Sequence, residues 1–167
     1  MDLMDLKDVI VWLKATRISE ATRFYPWIWP ICETLHFIGL SLLVGVIGLL
    51  DVRLLGLFKR IPIAALRKLL PYGLLGFVIN LITGAIFFVG APDQYIYNVA
   101  FYYKLLFLFV AGVNALLYEL LHGRRLEALT LGDRTPTAFR LAGAVSLFSW
   151  FMVLYWGRML PFIGDAF

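Results

Sequence analysis

Four apolar runs decide what this chain can become. Residues 31–50, 72–90, 100–121 and 139–156 are almost free of charge, and one helical crossing of a hydrocarbon layer ~30 Å thick needs about 20 such residues. Inside that layer the backbone finds no water, so each crossing must satisfy its own hydrogen bonds as a helix. The expected fold is an all-α integral membrane protein, a bundle of four transmembrane helices with an N-terminal amphipathic interfacial helix. Composition supports this: 62% of residues are hydrophobic, 16% are charged and the mean hydropathy is +0.85. A soluble domain of 167 residues has too little interior to hide so much apolar surface.

Four spans and their connections use up the chain, which leaves no room for a separate soluble catalytic domain. Residues 1–24 place Leu3, Leu6, Ile10 and Leu13 at helical spacing, with Trp12 beside them and Asp5, Lys7, Asp8 and Lys14 elsewhere around the wheel. That pattern is too charged to span and predicts an amphipathic helix lying in the interface. Pro26 and Pro30, set among Trp27 and Trp29, are expected to break it at an aromatic belt. The N-terminal segment has no basic-then-apolar leader pattern, so insertion without cleavage is expected. Residues 25–167 form the four-helix domain.

The net charge of +4 does not point to nucleic acid, because the cations sit between hydrophobic runs and act as topology signals. Arg53, Lys59, Arg60, Arg67 and Lys68 separate the first two runs, Arg124, Arg125, Arg134 and Arg140 the last two, whereas Ala91 to Val99 holds no Lys or Arg. Cytoplasmic loops retain Lys and Arg, so both termini and the loop at Asp93 are expected on the outer, periplasmic side. Cys32 stands alone and reads as a small interfacial or packing residue.

Ionisable residues inside a span are costly and face a bundle interior or cavity, which singles out Glu33, His36 and Lys104. His36 lies roughly 8 Å and Lys104 roughly 6 Å below the outer ends of their spans, so the two can meet. His122 falls at the opposite face, roughly 27 Å along its helix from Lys104, and cannot share a metal with His36. It reads as a helix-end residue in a basic loop. Below His36, Gly39, Ser41, Gly45 and Gly48 leave small residues along the helix, which admit either a flat macrocycle or a neighbouring helix. Gly73, Gly76, Asn80 and Thr83 recur at i, i+3, i+7 and i+10, a small and polar stripe expected to face protein.

Two readings of this cluster stay open. In one, His36 ligates a b-type haem, with Lys104 as the opposite ligand, Glu33 and Gly39 beside them, and Trp27, Trp29, Tyr95 and Tyr102 at the rim. In the other, Glu33, His36 and Lys104 form a cofactor-free polar cluster in a scaffold or small transporter, with Lys104 snorkelling or paired with Glu33 or Asp93. A quinone or proton-handling role for His36 is a further option. Glu119 is expected to pair with Arg124 or Arg125, Asp51 with Arg53 or Arg67, and Asn80 and Asn114 to bridge helices. Phosphate loops, HExxH and GxSxG motifs are missing from the sequence, which argues against conventional hydrolase or nucleotide chemistry.

The stretch Trp29 to Leu57, with Glu33-Thr34-Leu35-His36 and Gly45-Val46-Ile47-Gly48-Leu49-Leu50-Asp51-Val52-Arg53, resembles an uncharacterised family of small bacterial four-helix inner-membrane proteins. The resemblance continues through Arg60-Ile61-Pro62 and Gly90-Ala91-Pro92-Asp93-Gln94-Tyr95 to Lys104. More distantly the chain is similar to membrane b-type cytochromes and CopD-like proteins. This implies a bacterial inner-membrane location and, through His36, haem b, with a redox partner or quinone. Dihaem cytochromes carry several intramembrane histidines at matched depths; here His36 alone is so placed, and a two-haem path is not implied. The small-residue faces suit a homo-oligomer.

Overall fold

The computed structural model describes residues 3–127 and 135–163, with side chains for 6–121 and 135–163. Among the described residues eight α-helices run in order: α1 (Leu3–Lys14), α2 (Arg17–Phe24), α3 (Ile28–Leu54), α4 (Ile63–Arg67), α5 (Leu70–Gly90), α6 (Pro92–Ile96), α7 (Val99–Glu127) and α8 (Thr137–Met159), closed by a 3₁₀ turn at Leu160–Phe162. Among the described residues there is no strand. Four segments are long and apolar enough to cross a membrane: Ile28–Leu54, Ile63–Gly90, Val99–Leu121 and Thr137–Phe162. These long helices extend past the apolar runs because the charged residues flanking each run continue the helix.

The N-terminal segment forms two helices, where the sequence pattern suggests one. The break is made by Thr16, whose hydroxyl donates to Leu13 O at 2.7 Å and accepts from the Ser19 N–H at 3.3 Å. One side chain thus closes α1 and caps α2. Ile10 and Leu13 are buried against Ile96, with Leu6, Phe88 and Val89 packed around them. Lys14 pairs with Asp93, and Arg23 Nη2 donates to Lys14 O at 2.7 Å. The segment is therefore docked on the ends of α5 and α6, while Val11 and Trp12 point outward, 66% and 67% exposed. Pro26 does separate α2 from α3, but Pro30 sits within the first turn of α3, where its missing N–H would have no intrahelical partner anyway.

Packing of the four long helices follows a chain of seams: α5 on α3, α3 on α8, α8 on α7. The α3–α5 seam is backbone against backbone. A Cβ on Gly39 would stand 2.8 Å from Gly76 O, and one on Gly76 would collide with Gly39 O. The Gly73-Gly76-Asn80-Thr83 stripe thus lies on α3, with Gly73, Gly76 and Thr83 buried. Between α3 and α8, a Cβ on Gly143 would lie 2.9 Å from Asp51 O. Side chains make the α7–α8 seam: Tyr103 stacks on Trp156 at 4.6 Å, and Asn114 Nδ2 donates to Ala142 O at 3.1 Å. Near the 91–98 connection, α5 and α7 meet through Phe88 and Phe101, stacked at 5.6 Å.

The two ends of the molecule are closed differently. At one end lie α1, α2, α6 and the chain's exit from α8. There Asn98 Nδ2 donates to Leu160 O at 2.9 Å and Ile163 O at 2.6 Å, while its Oδ1 accepts from the Ala100 N–H. At the other end, α3 stops in a left-handed Gly56, φ 95°. The Gly56 N–H bonds Arg53 O at 3.1 Å and the Leu57 N–H bonds Val52 O at 3.2 Å, the glycine-terminated helix end that satisfies the last carbonyls. The chain then folds back so that Ile63 and Leu66 join Leu50, Leu54 and Phe139 in a buried cluster. Arg53, only 2% exposed, ties this end together by donating from Nε to Ile61 O at 2.9 Å and from Nη1 to Thr135 Oγ1 at 3.4 Å.

Candidate functional site

His36 is held on α3 by α5. Its Nδ1 lies 2.7 Å from Thr83 Oγ1, and the Thr83 hydroxyl donates its single proton to Ile79 O at 2.8 Å. With that proton on Ile79 O, the Thr83 oxygen accepts from Nδ1–H and Nε2 presents a lone pair; with it on Nδ1, the tautomer is reversed. Among the described residues Nε2 makes no hydrogen bond. The helical rise places Thr83 two turns beyond Gly76, and the Gly39–Gly76 contact brings the two backbones close enough for the bond to form. Gly84, one residue on, lies beneath His36 Cε1.

Aromatic side chains continue outward from the imidazole. Phe87 stands 5.6 Å from His36 and Trp29 stands 5.0 Å from Phe87, ring centre to ring centre. Trp29 Nε1 donates to Glu33 Oε1 at 3.2 Å. Burial, reinforced by the Glu33 carboxylate, pushes the Tyr95 phenol up to about 12.

Lys104 approaches from α7. Its stem runs along α8 at Gly157, where a Cβ would stand 3.7 Å from both Cε and Nζ; the glycine makes room for the lysine to turn inward. The ammonium is near enough for its charge to be felt at His36, and among the described residues it has no ion pair or hydrogen bond. An imidazole nitrogen on the α3–α5 pair and a lysine head group on the α7–α8 pair therefore stand at one end of the molecule without hydrogen-bond partners among the described residues, and the lysine offers a lone pair only as the neutral amine. Two nitrogen donors suit an iron porphyrin. Among the described residues no three His, Cys, Asp or Glu side chains gather to hold a bare metal ion.

Other residues named from sequence take different places. Of the two occupants that Gly39 admits, α5 fills its face. Neither acid expected beside Lys104 pairs with it: Glu33 accepts from Trp29, one turn away on its own helix, and Asp93 is taken by Lys14. Trp29 and Tyr95 border the cluster, whereas Trp27 is 58% exposed beside Tyr25 and Tyr102 donates to Ile96 O at 2.6 Å. Asn114 bridges helices, but Asn80 donates to Gly76 O on its own helix. Glu119 pairs with Arg67 at 2.7 and 3.0 Å, since α4 folds back beside it; Arg124 and Arg125, the partners expected from sequence, have side chains outside the described residues. Asp51 bonds Ser146 of α8 and neither arginine, because Arg53 is turned toward Ile61 and Thr135. Cys32 is buried. The side chains of His122, Arg124, Arg125 and Arg134 lie outside the described residues.

Thr83 and Gly84 are the site residues that spacing alone did not assign. Thr83 belongs to the small stripe on α5, and its position opposite His36 follows only once the Gly39–Gly76 crossing is known. No protein-family model matches this chain, and no curated protein or solved structure matches it.

Proposed function

We propose that this chain is a multi-pass protein of the bacterial inner membrane that binds one b-type haem through His36 Nε2, with Lys104 as the opposite ligand, for electron transfer or redox sensing. The observation that carries the reading is the Thr83–His36 hydrogen bond. Ligating histidines almost always donate their other ring N–H to a fixed acceptor, which sets tautomer and orientation; in its Nδ1–H tautomer His36 has that arrangement before any ligand arrives. Ligation by Lys104 requires the neutral amine, which a desolvated site favours. Bound haem would supply one-electron chemistry, while this chain's part is to orient the imidazole and exclude water.

Four long apolar helices support insertion as a membrane bundle. Segments 51–69 and 119–140 hold nine Lys and Arg against four Asp and Glu, and the rest of the chain six against seven. That asymmetry supports a cytoplasmic basic end and periplasmic termini. Gly45, Gly48 and Gly112 have nothing within 4 Å of a built Cβ, open small faces that suit a homo-oligomer. A quinone or a redox protein would exchange electrons at the His36 end.

A cofactor-free scaffold or small transporter is the second reading, favoured by the α5 backbone filling the face beside Gly39. Absorption spectra of detergent-purified protein, oxidised and dithionite-reduced, separate the two. The expected result is a stoichiometric Soret band in wild type, lost in His36→Ala and retained with altered position in Lys104→Ala. A colourless wild type after expression with ample haem overturns the cytochrome reading in favour of the scaffold. A band that survives in His36→Ala removes His36 as ligand.

A further inference from the structure

The α3–α8 seam holds a carboxyl that the His36 cluster does not use. Asp51 is 3% exposed, one turn from the end of α3. Its carboxyl bonds Ser146 of α8, while Oδ2 has no hydrogen-bond partner among the described residues. The backbones close beside it: a Cβ on Gly143 would stand 2.9 Å from Asp51 O and 3.0 Å from Leu54 Cβ, so α3 and α8 touch backbone to backbone at this level.

The charged and titratable neighbours are otherwise engaged. Arg53, two residues on, donates to Ile61 O and Thr135 Oγ1. Arg67 of α4 and Glu119 of α7 hold each other. Tyr118 of α7 is near enough to feel an Asp51 charge but brings no cation. Neither salt bridge among the described residues includes Asp51. A buried anion without a counter-charge is expensive in any apolar medium, and within a membrane an ionisable residue so placed marks a binding site. A hard metal cation takes six or more oxygens; the side chains here supply Asp51 and Ser146, which suit a single proton.

We infer that Asp51 is a proton-binding site in which the neutral carboxyl, bonded to Ser146, lets α3 and α8 close on each other, and that releasing the proton requires the seam to part. The bond made is O–H on the carboxylate, the proton coming from water at the basic end of the molecule. This inference is independent of haem, since Asp51 and His36 sit fifteen positions apart on α3, roughly 22 Å along the axis.

Infrared spectroscopy of the full chain in lipid nanodiscs reads the carboxyl directly. At neutral pH wild type is expected to show a protonated-carboxyl C=O band that vanishes in Asp51→Asn. In Ser146→Ala the band should persist and move to higher frequency as the carbonyl loses its donor. The Ser146→Ala shift assigns the band even if Asp51→Asn fails to fold. Glu33→Gln and Glu119→Gln should leave it unchanged. Absence of the band from wild type, its survival in Asp51→Asn, or an unmoved band in Ser146→Ala would each overturn the proposal.

Discussion

At the basic end of this molecule Arg53 and Arg67 are both engaged, and at the end holding the termini two nitrogens are kept in hand. Arg53 is buried and saturates a carbonyl and a hydroxyl from two separate segments; Arg67 and Glu119 close on each other in a bidentate pair. At the other end His36 commits one nitrogen to Thr83 and leaves the second open, and Lys104 lies along Gly157 with no acid in range among the described residues. Buried polar groups are normally paired because an orphan costs ~1–3 kcal/mol. At the basic end the orphan is one carboxyl oxygen of Asp51, which a proton satisfies; at the His36 end it is a ring nitrogen and an amine, where a larger ligand gains most by arriving.

The sharpest way to break this contrast is to force apart the seam that holds His36. In Gly76→Ala the new methyl group meets backbone atoms, Gly39 O and Leu43 N, rather than a movable side chain. Overpacking usually costs ~1–3 kcal/mol; because backbone cannot step aside, about 4 kcal/mol is expected here. Hydrogen exchange should rise around His36 and Thr83 and stay low around Arg53 and Leu66. Uniform loosening of both ends would show that they are not separate regions.

Next in size is Arg53→Met, which keeps much of the volume and removes the donors. Ile61 O and the Thr135 hydroxyl then lose a charged partner in a buried place, and about 3 kcal/mol of stability should go, read as a fall in the thermal midpoint in detergent. His36→Ala, on the partly open side, should cost ~1 kcal/mol or less. Equal losses from the two substitutions would erase the distinction between a structural end and a ligand end.

How far the sequence discloses this arrangement differs between the two ends. The long helices follow from hydrophobic runs, because a helix of ~20 apolar residues needs no tertiary partner to be recognised. The Gly73-Gly76-Asn80-Thr83 stripe also reads correctly as a packed face, since periodicity places small residues on one side whatever they meet. Pairings are another matter. Glu119 finds Arg67, far away in sequence, because α4 doubles back, a consequence of Gly56 and the hydrophobic cluster of Ile63 and Leu66. Asp51 finds Ser146 because Gly143 lets α8 touch α3. The break at Thr16 turns on one hydroxyl used twice, a geometric event that apolar spacing cannot carry. In the candidate site, His36 and Lys104 stand out as charges in apolar runs, while the acceptor that orients His36 depends on the α3–α5 crossing.

The smallest expected effect concerns Tyr95, which borders the open end without belonging to it. Its phenol is pushed from 10 to about 12, first by burial and then by the Glu33 carboxylate. With the folded value above the unfolded one, the folded chain holds the proton longer. That contribution is fully present below pH ~10 and is lost as pH rises through about 12, because the unfolded state then binds fewer protons than the folded one. Two units correspond to roughly 2–3 kcal/mol for a fully buried group; Tyr95 is only partly buried, so about 1–2 kcal/mol is the expected loss. Tyr95→Phe keeps the ring against Phe88 and Phe101 and removes the titrating group. The two proteins should therefore melt alike at pH 8, with wild type falling below the variant between pH 10 and 12. Parallel melting curves across that range would mean that the phenol is already hydrated, and that α1 and α6 cover the open end less tightly than their packing implies.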